Sequence, residues 1–439
     1  MGRLHDRLAE QAPVLRERVH NIVAEHGTAV VSEVMVSQVF GGMRGVKGLV
    51  CDTSVVEPDK GLVVRGVPIG ELKNCLPEEI FYLLCTGELP DAEALASLQH
   101  ELRVRAEVPS YVWDVLKAMP SDTHSMAMFS TAILAMERES VFRKKYTQGL
   151  HKTDYWEPIL EDALRLIATL PAIAAGIYRI HTRKGDPLPP HPSLDWGANY
   201  AAMLGVPDPE GKFRDLIRLY MTLHCDHEGG NVSAFTCHTV GSALSDPFYA
   251  VSAGMNGLAG PLHGLANQEC LHFVLDIRKR YNGVPTDEQL RDFVLETLND
   301  GRVIPGYGHA VLRVTDPRFT AFHEFGKRVC ADDEIFQIVD RLFHITPRVL
   351  KEQGKVKDPW PNVDAGSGSL LYLFGLTEFD YYTVLFGVSR ALGMCSQLVL
   401  NRLLGMPITR PKSVSTDWII KTVNAACAAA PEGSKKATS

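Results

Sequence analysis

The sequence predicts an all-α protein in two folded units, with one small antiparallel β element near the N-terminus. Three observations carry that expectation. Apolar residues recur at helical spacing along most of the chain. Strand-like runs are confined to the stretch between Leu49 and Val67. A chain of 439 residues exceeds what a single compact core usually holds.

The elements follow in order. Residues 49–56 and 61–67 read as two strands paired around the turn Pro58-Asp59-Lys60-Gly61. Apolar stripes run through residues 92–104 and 213–223. Between them, residues 185–192 are dense in glycine and proline and read as a surface loop. Thr286-Asp287-Glu288-Gln289 is a capping box, in which the threonine and glutamine side chains satisfy two otherwise orphaned amides. Leu290, Phe293, Val294 and Leu298 then share one helix face, and Gly301 closes it. Further stripes occupy residues 334–350 and 381–404, residues 354–368 read as a second loop, and residues 425–439 as a frayed tail.

Composition narrows the function. Hydrophobic residues at 45% and charged residues at 22% are the balance of an ordinary globular enzyme. A net charge of −7 argues against general nucleic-acid binding, which wants a basic face. The nine cysteines, at 51, 75, 85, 225, 237, 270, 330, 395 and 427, contain no CxxC pair, so a reducing compartment is expected rather than a disulfide framework or zinc knuckle. The longest apolar run, residues 166–178, is interrupted by Pro171, so no membrane span is expected. Arg3, Arg7, Arg16 and Arg18 are mixed with Asp6, Glu10 and Glu17, which is not the acid-poor pattern of a transit peptide.

Two histidines and an aspartate stand in glycine and proline frames that packing alone does not require. His263 lies in Pro261-Leu262-His263-Gly264, ahead of a helical stretch through Leu265, Leu271, Val274 and Leu275. A helix N-terminus disfavours imidazolium, and a neutral imidazole can donate N–H to a carbonyl becoming an enolate. His309 follows Gly306-Tyr307-Gly308, where a ligand can approach the main chain closely. Asp364 ends Pro359-Trp360-Pro361-Asn362-Val363-Asp364, and partial burial there would raise its basicity. A packed or capping histidine and an Asx-turn aspartate are the bland alternatives. His224-Cys225-Asp226-His227 offers metal-ligand types, but its histidines are three apart rather than four, so no metal is expected. Arg313, Arg318, Arg390 and Arg410 sit near proline or glycine, and guanidinium forks suit a dicarboxylate. Lys355 and Lys357, with no acid between them, suit phosphates.

Several long segments resemble the citrate synthase family, of the mitochondrial type, from about Gly41 to Trp418. They are Gly41-Gly42-Met43-Arg44-Gly45, the run from His227-Glu228-Gly229-Gly230 to Ala234, the run from Gly257 through His263-Gly264 to Glu269, the run from Pro305 through His309 to Arg313, Asn362-Val363-Asp364-Ala365, and the run from Phe386 through Arg390 to Gly393. The resemblance implies a helical homodimer whose large domain, residues 1–264 and 376–439, is interrupted by a small domain, residues 265–375, that closes over the site. It implies condensation of acetyl-CoA with oxaloacetate and hydrolysis of citryl-CoA, with no cofactor and with the acyl-CoA as substrate. Asp364 would be the base, His263 the enol stabiliser and His309 the ketone polariser. His227, Arg318 and Arg390 would bind oxaloacetate, joined by Arg410 across the dimer interface. Arg44, Arg313, Lys355, Lys357 and Lys152 would meet CoA, Lys152 standing where many members carry arginine. The mitochondrial matrix is the implied location. Two departures from the family pattern are Phe235 and Gly366, each where histidine is usual. The space left by Gly366 raises 2-methylcitrate synthesis from propionyl-CoA as the alternative.

Overall fold

The computed structural model describes residues 2–309, 311–354, 356 and 358–429, with side chains to residue 425. Helices dominate it, and strands are confined to one small sheet. The capping box forms as read: the Thr286 hydroxyl accepts the Gln289 amide at 3.2 Å, the Gln289 side chain accepts the Thr286 amide at 2.8 Å, and the helix runs Asp287–Asn299. The other stripes become Ala92–Arg105, Lys212–Leu223, Glu334–Gln353 and Tyr382–Leu403, each within a few residues of its expected bounds.

The β element is a three-stranded antiparallel sheet in the order β1 (Ser54–Glu57), β2 (Gly61–Val64), β3 (Val67–Pro68). Ser54 pairs with Val64 and Glu57 with Gly61 across the expected turn. The first strand is shorter than the expected 49–56, and the second run divides. Arg65 and Gly66 both take positive φ and turn the chain back, so that Val67 pairs with Val64.

Two expectations are corrected. The stretch 354–368 is not loop to its end: a helix, Asp364–Leu373, begins at the aspartate itself. Asn362 accepts the Asp364 amide at 3.0 Å and starts that helix, while Gly366 and Gly368 disguise it in the sequence. Pro171 does not break the helix around it, which runs Trp156–His181. That helix and Tyr382–Leu403 lie in the two stretches, Lys152–His181 and Phe379–Leu403, that are long and apolar enough to cross a membrane. Their apolar windows are 83% and 94% buried, so burial inside the fold accounts for the hydrophobicity.

The apolar side chains form two clusters. The larger draws on residues from Leu4 to Leu403, and the two long helices supply much of it. The smaller, including Ile277, Leu290, Val294, Phe319, Ile338 and Val349, is built wholly from residues between Val274 and Ala365. Asp364 stands between Val363 of the larger cluster and Ala365 of the smaller, and His309 between Ile304 of the smaller and Leu312 of the larger.

Candidate active site

The first wall of the cleft is a strained turn. Glu228 adopts φ of +60°, a conformation that non-glycine residues rarely take, and the surrounding bonds hold it there. Its carboxylate accepts the Val56 amide at 2.8 Å and its own amide donates to the Ser54 hydroxyl at 2.8 Å. Asp226, fully buried, accepts from Thr53 at 2.5 Å, Ser54 at 2.8 Å and the Gln397 amide at 2.9 Å. The turn therefore presents His227 from a rigid base. These bonds also occupy Asp226, and His224 is buried and stacked on Tyr220 at 4.1 Å, so the segment does not offer its side chains together to a metal.

The second wall joins two distant segments. Gly308 donates to the Trp360 carbonyl at 3.0 Å, Asn362 donates to the Gly306 carbonyl at 2.8 Å, and the Asn362 side chain donates to the Gly308 carbonyl at 3.1 Å. Gly306 takes φ of +78°, and a Cβ there would meet Ala365 and Cys270 at 2.8 Å. His309 and Asp364 are thus fixed to one frame. Nδ1 of His309 accepts the amides of Val311 and Leu312 at 3.0 and 3.1 Å. A neutral ring consequently carries its proton on Nε2. Burial, then the charge of Arg318, lowers the His309 pKa, so the neutral ring is favoured. The His309 and His227 rings lie 6.2 Å apart.

His263 sits in a turn just ahead of the helix Ala266–Tyr281. The Ser233 amide, which can only donate, points at its Nε2 at 3.3 Å, with the Ser233 hydroxyl at 2.9 Å. A neutral ring therefore carries its proton on Nδ1. Its pKa is lowered to about 4, by burial first and then by Arg390. The neutrality expected at a helix end is found, but burial and a guanidinium are its causes.

Arg318 and Arg390 supply the cleft's positive charge. Arg318, 4% exposed, lies in the helix Pro317–Val329, whose N-cap Asp316 accepts from its guanidinium at 2.7 Å. Arg390, 2% exposed, has no carboxylate within bonding distance among the described residues; it donates to the His224 carbonyl at 3.2 Å and packs over Phe386 at 4.8 Å. Burial lowers its pKa to about 10. Asp364 is half-buried, and burial raises its pKa to about 6 against the opposing pull of Arg318 and Arg390. Burial and those same arginines push His227 well below its ordinary value. The arrangement holds a base, two N–H donors on neutral rings and two guanidiniums able to grip an anion.

The remaining expected residues are distributed differently. Arg313 is exposed, donates its amide to the Pro58 carbonyl at 2.8 Å and turns its guanidinium to the Val311 and Leu312 carbonyls. Arg44 and Arg410 are exposed, and Lys152 lines a cavity of about 600 Å³ with Arg16 and Arg402. Lys355 and Lys357 lie outside the described residues. Asp316, Ser233 and Phe386 do work in the cleft that the sequence reading assigned to none of them. Asp316-Pro317 is legible as a cap followed by proline at the first helical position. A Cβ on Gly366 would meet Phe319 at 3.3 Å and Val339 at 3.7 Å. The missing side chain thus points into the smaller core, where Phe319 and Val339 belong, and the expected enlargement of an acyl pocket does not follow.

A family model described as citrate synthase, C-terminal domain, matches residues 42–412. Among curated relatives, the mitochondrial citrate synthase of Xiphias gladius is 50% identical, covering 96% of this chain and 92% of that protein. The probable mitochondrial citrate synthase of Glossina morsitans morsitans is 49% identical over the same shares. Among solved structures, the citrate synthase of Pyrobaculum aerophilum superposes with a TM-score of 0.77 at 27% identity, covering 88% of this chain and 95% of that one.

Proposed function

Because the chain belongs to the citrate synthase family, we propose that it condenses acetyl-CoA with oxaloacetate and hydrolyses the resulting thioester to citrate and CoA. The near-full-length identity with citrate synthases carries this reading. The chemistry of the cleft supports it. Asp364, with its raised pKa, takes a proton from the acetyl methyl group while Nδ1–H of His263 donates to the thioester oxygen. Nε2–H of His309 polarises the oxaloacetate ketone, and the enolic carbon attacks it. His227, Arg318 and Arg390 hold the dicarboxylate. Arg44, Arg313, Lys152, Lys355 and Lys357 meet the CoA moiety, which as a substrate makes a separate cofactor unnecessary.

Residues 1–264 and 376–439 are read as the large domain and 265–375 as the small one that closes on it, a division supported by the confinement of the smaller core to residues 274–365. A homodimer is supported by exposed apolar side chains in the terminal segments, among them Val30, Val31, Phe40, Val50, Trp418 and Ile420. The exposed Arg410 is available to cross that interface. The mitochondrial naming of the relatives supports a location in the matrix. Incubating the purified protein with oxaloacetate and either acetyl-CoA or propionyl-CoA, then measuring thiol release and product mass, tests the activity. Citrate and a higher kcat/KM for acetyl-CoA are expected; silence with acetyl-CoA sinks the reading.

A further inference from the structure

The hairpin of β1 and β2 touches both walls of the cleft. Its strands pair from Ser54 and Val64 to Glu57 and Gly61. Near the base it is held by the turn that presents His227: the Glu228 carboxylate accepts the Val56 amide and the Glu228 amide donates to the Ser54 hydroxyl, both at 2.8 Å. Glu228 makes these bonds from its φ of +60°, so the hairpin is also what keeps that backbone in an unfavourable conformation.

The other end of the hairpin reaches the second wall. The Pro58 carbonyl accepts the Arg313 amide at 2.8 Å. Arg313 directly follows Val311 and Leu312, the two residues whose amides fix Nδ1 of His309. Three residues after Pro58, Gly61 takes φ of +80°, and a Cβ there would meet the Pro317 ring at 2.5 and 2.8 Å. Pro317 opens the helix that carries Arg318 and adjoins Asp316, which accepts from the Arg318 guanidinium. Between these ends the hairpin is anchored in the larger core by Leu62 and Val64, 1% and 0% exposed.

We propose that this hairpin sets the spacing between His227 on one wall and His309 and Arg318 on the other, with Glu228 and Gly61 as its positioning residues. The inference rests on the proposed function, in which those three side chains hold oxaloacetate. A dicarboxylate gripped from both walls binds well only when the donors stand at the right separation, and the two imidazole rings lie 6.2 Å apart. Glu228 acts through the hairpin rather than on the ligand, since a carboxylate facing a dicarboxylate would repel it and this one is turned to a backbone amide. Gly61 acts by having no side chain, which lets the hairpin seat closely against Pro317.

The test is oxaloacetate binding to the full-length protein, measured by calorimetry without acyl-CoA, with thermal unfolding recorded for each variant. Glu228→Ala and Gly61→Ala should each weaken binding about tenfold, roughly the worth of one misaligned hydrogen bond to a charged group. Glu228→Gln keeps an acceptor for the Val56 amide and should recover the affinity, whereas a role for the negative charge itself would be lost in that variant too. Because both residues act through one body, the double variant Gly61→Ala/Glu228→Ala should bind within about threefold of the weaker single variant. Independent local effects would multiply to about a hundredfold. The proposal is overturned by undiminished affinity in Glu228→Ala, by Glu228→Gln binding as weakly as Glu228→Ala, or by a fully multiplied double variant. Should Gly61→Ala fail to fold, the comparison of Glu228→Ala with Glu228→Gln decides alone. Wild-type protein that binds no oxaloacetate would overturn the proposed function and this inference with it; wild-type binding with insensitive variants overturns the inference alone.

Discussion

At the scale of single residues, the cleft is governed by what burial does to each titratable group. Asp364 has its pKa raised to about 6, so as a base it is lost on acidification, and kcat/KM is expected to fall as pH drops through about 6. Stability runs the other way. Between the unfolded value near 4 and the folded value near 6 the native state binds the proton more tightly, so this group's contribution is full at low pH and lost as pH rises through 6. Asp364→Asn should therefore cut turnover by roughly 10²–10⁴-fold while leaving the unfolding temperature at pH 7.5 equal to or above wild type. A variant that kept its rate would remove Asp364 from the chemistry. Arg318→Gln makes a different prediction, because it strands Asp316, which is fully buried. Breaking such a pair costs about 3–5 kcal/mol, so a lower unfolding temperature should accompany the loss of oxaloacetate binding. A rise in KM without any thermal change would show that Asp316 finds another partner.

At the scale of elements, the helix Asp364–Leu373 carries the proposed base and is positioned by contact with Ala266–Tyr281. A Cβ on Gly368 would collide with the Asn267 side chain, whose amide donates to Ser367 at 2.9 Å. Gly368→Ala should push the two helices apart and shift Asp364 relative to His263. A displacement of about 1 Å can cost about 10²-fold in rate, so kcat is expected to fall with little change in oxaloacetate KM. An unchanged kcat would mean that the helix pair absorbs the methyl group without moving the aspartate. Thr286→Ala, by contrast, removes only a cap worth about 1 kcal/mol and should lower thermal stability without touching kcat. Legibility differed between these helices for a physical reason. Capping and a wide apolar stripe announce Asp287–Asn299 in the sequence. The helix at Asp364 is packed tightly enough to need glycines, and glycine is the residue that local reading takes for a loop. The histidine and aspartate frames were legible because close backbone pairing at Gly306 and Gly308 demands glycine. Asp316, Ser233 and Phe386 were missed because their roles exist only across contacts between distant segments.

At the scale of the whole molecule, the test is whether one site draws on two chains. An Arg410→Gln protein and an Asp364→Ala protein are each expected to be nearly inactive. Unfolded together and refolded, they should form mixed dimers with one sound site apiece, and activity should partly return. A mixture that stayed inactive would assign Arg410 to its own subunit.

The guanidiniums of Arg318 and Arg390 do more than attract an anion. They oppose the burial that raises the Asp364 pKa, and so keep it a weaker base than burial alone would make it. On the proposed function, a dicarboxylate held between them would cancel much of that charge. The aspartate would then become harder to keep ionised and readier to take a proton from carbon. Base strength would thereby be conditional on occupancy, and an acyl-CoA arriving first would meet a weaker base.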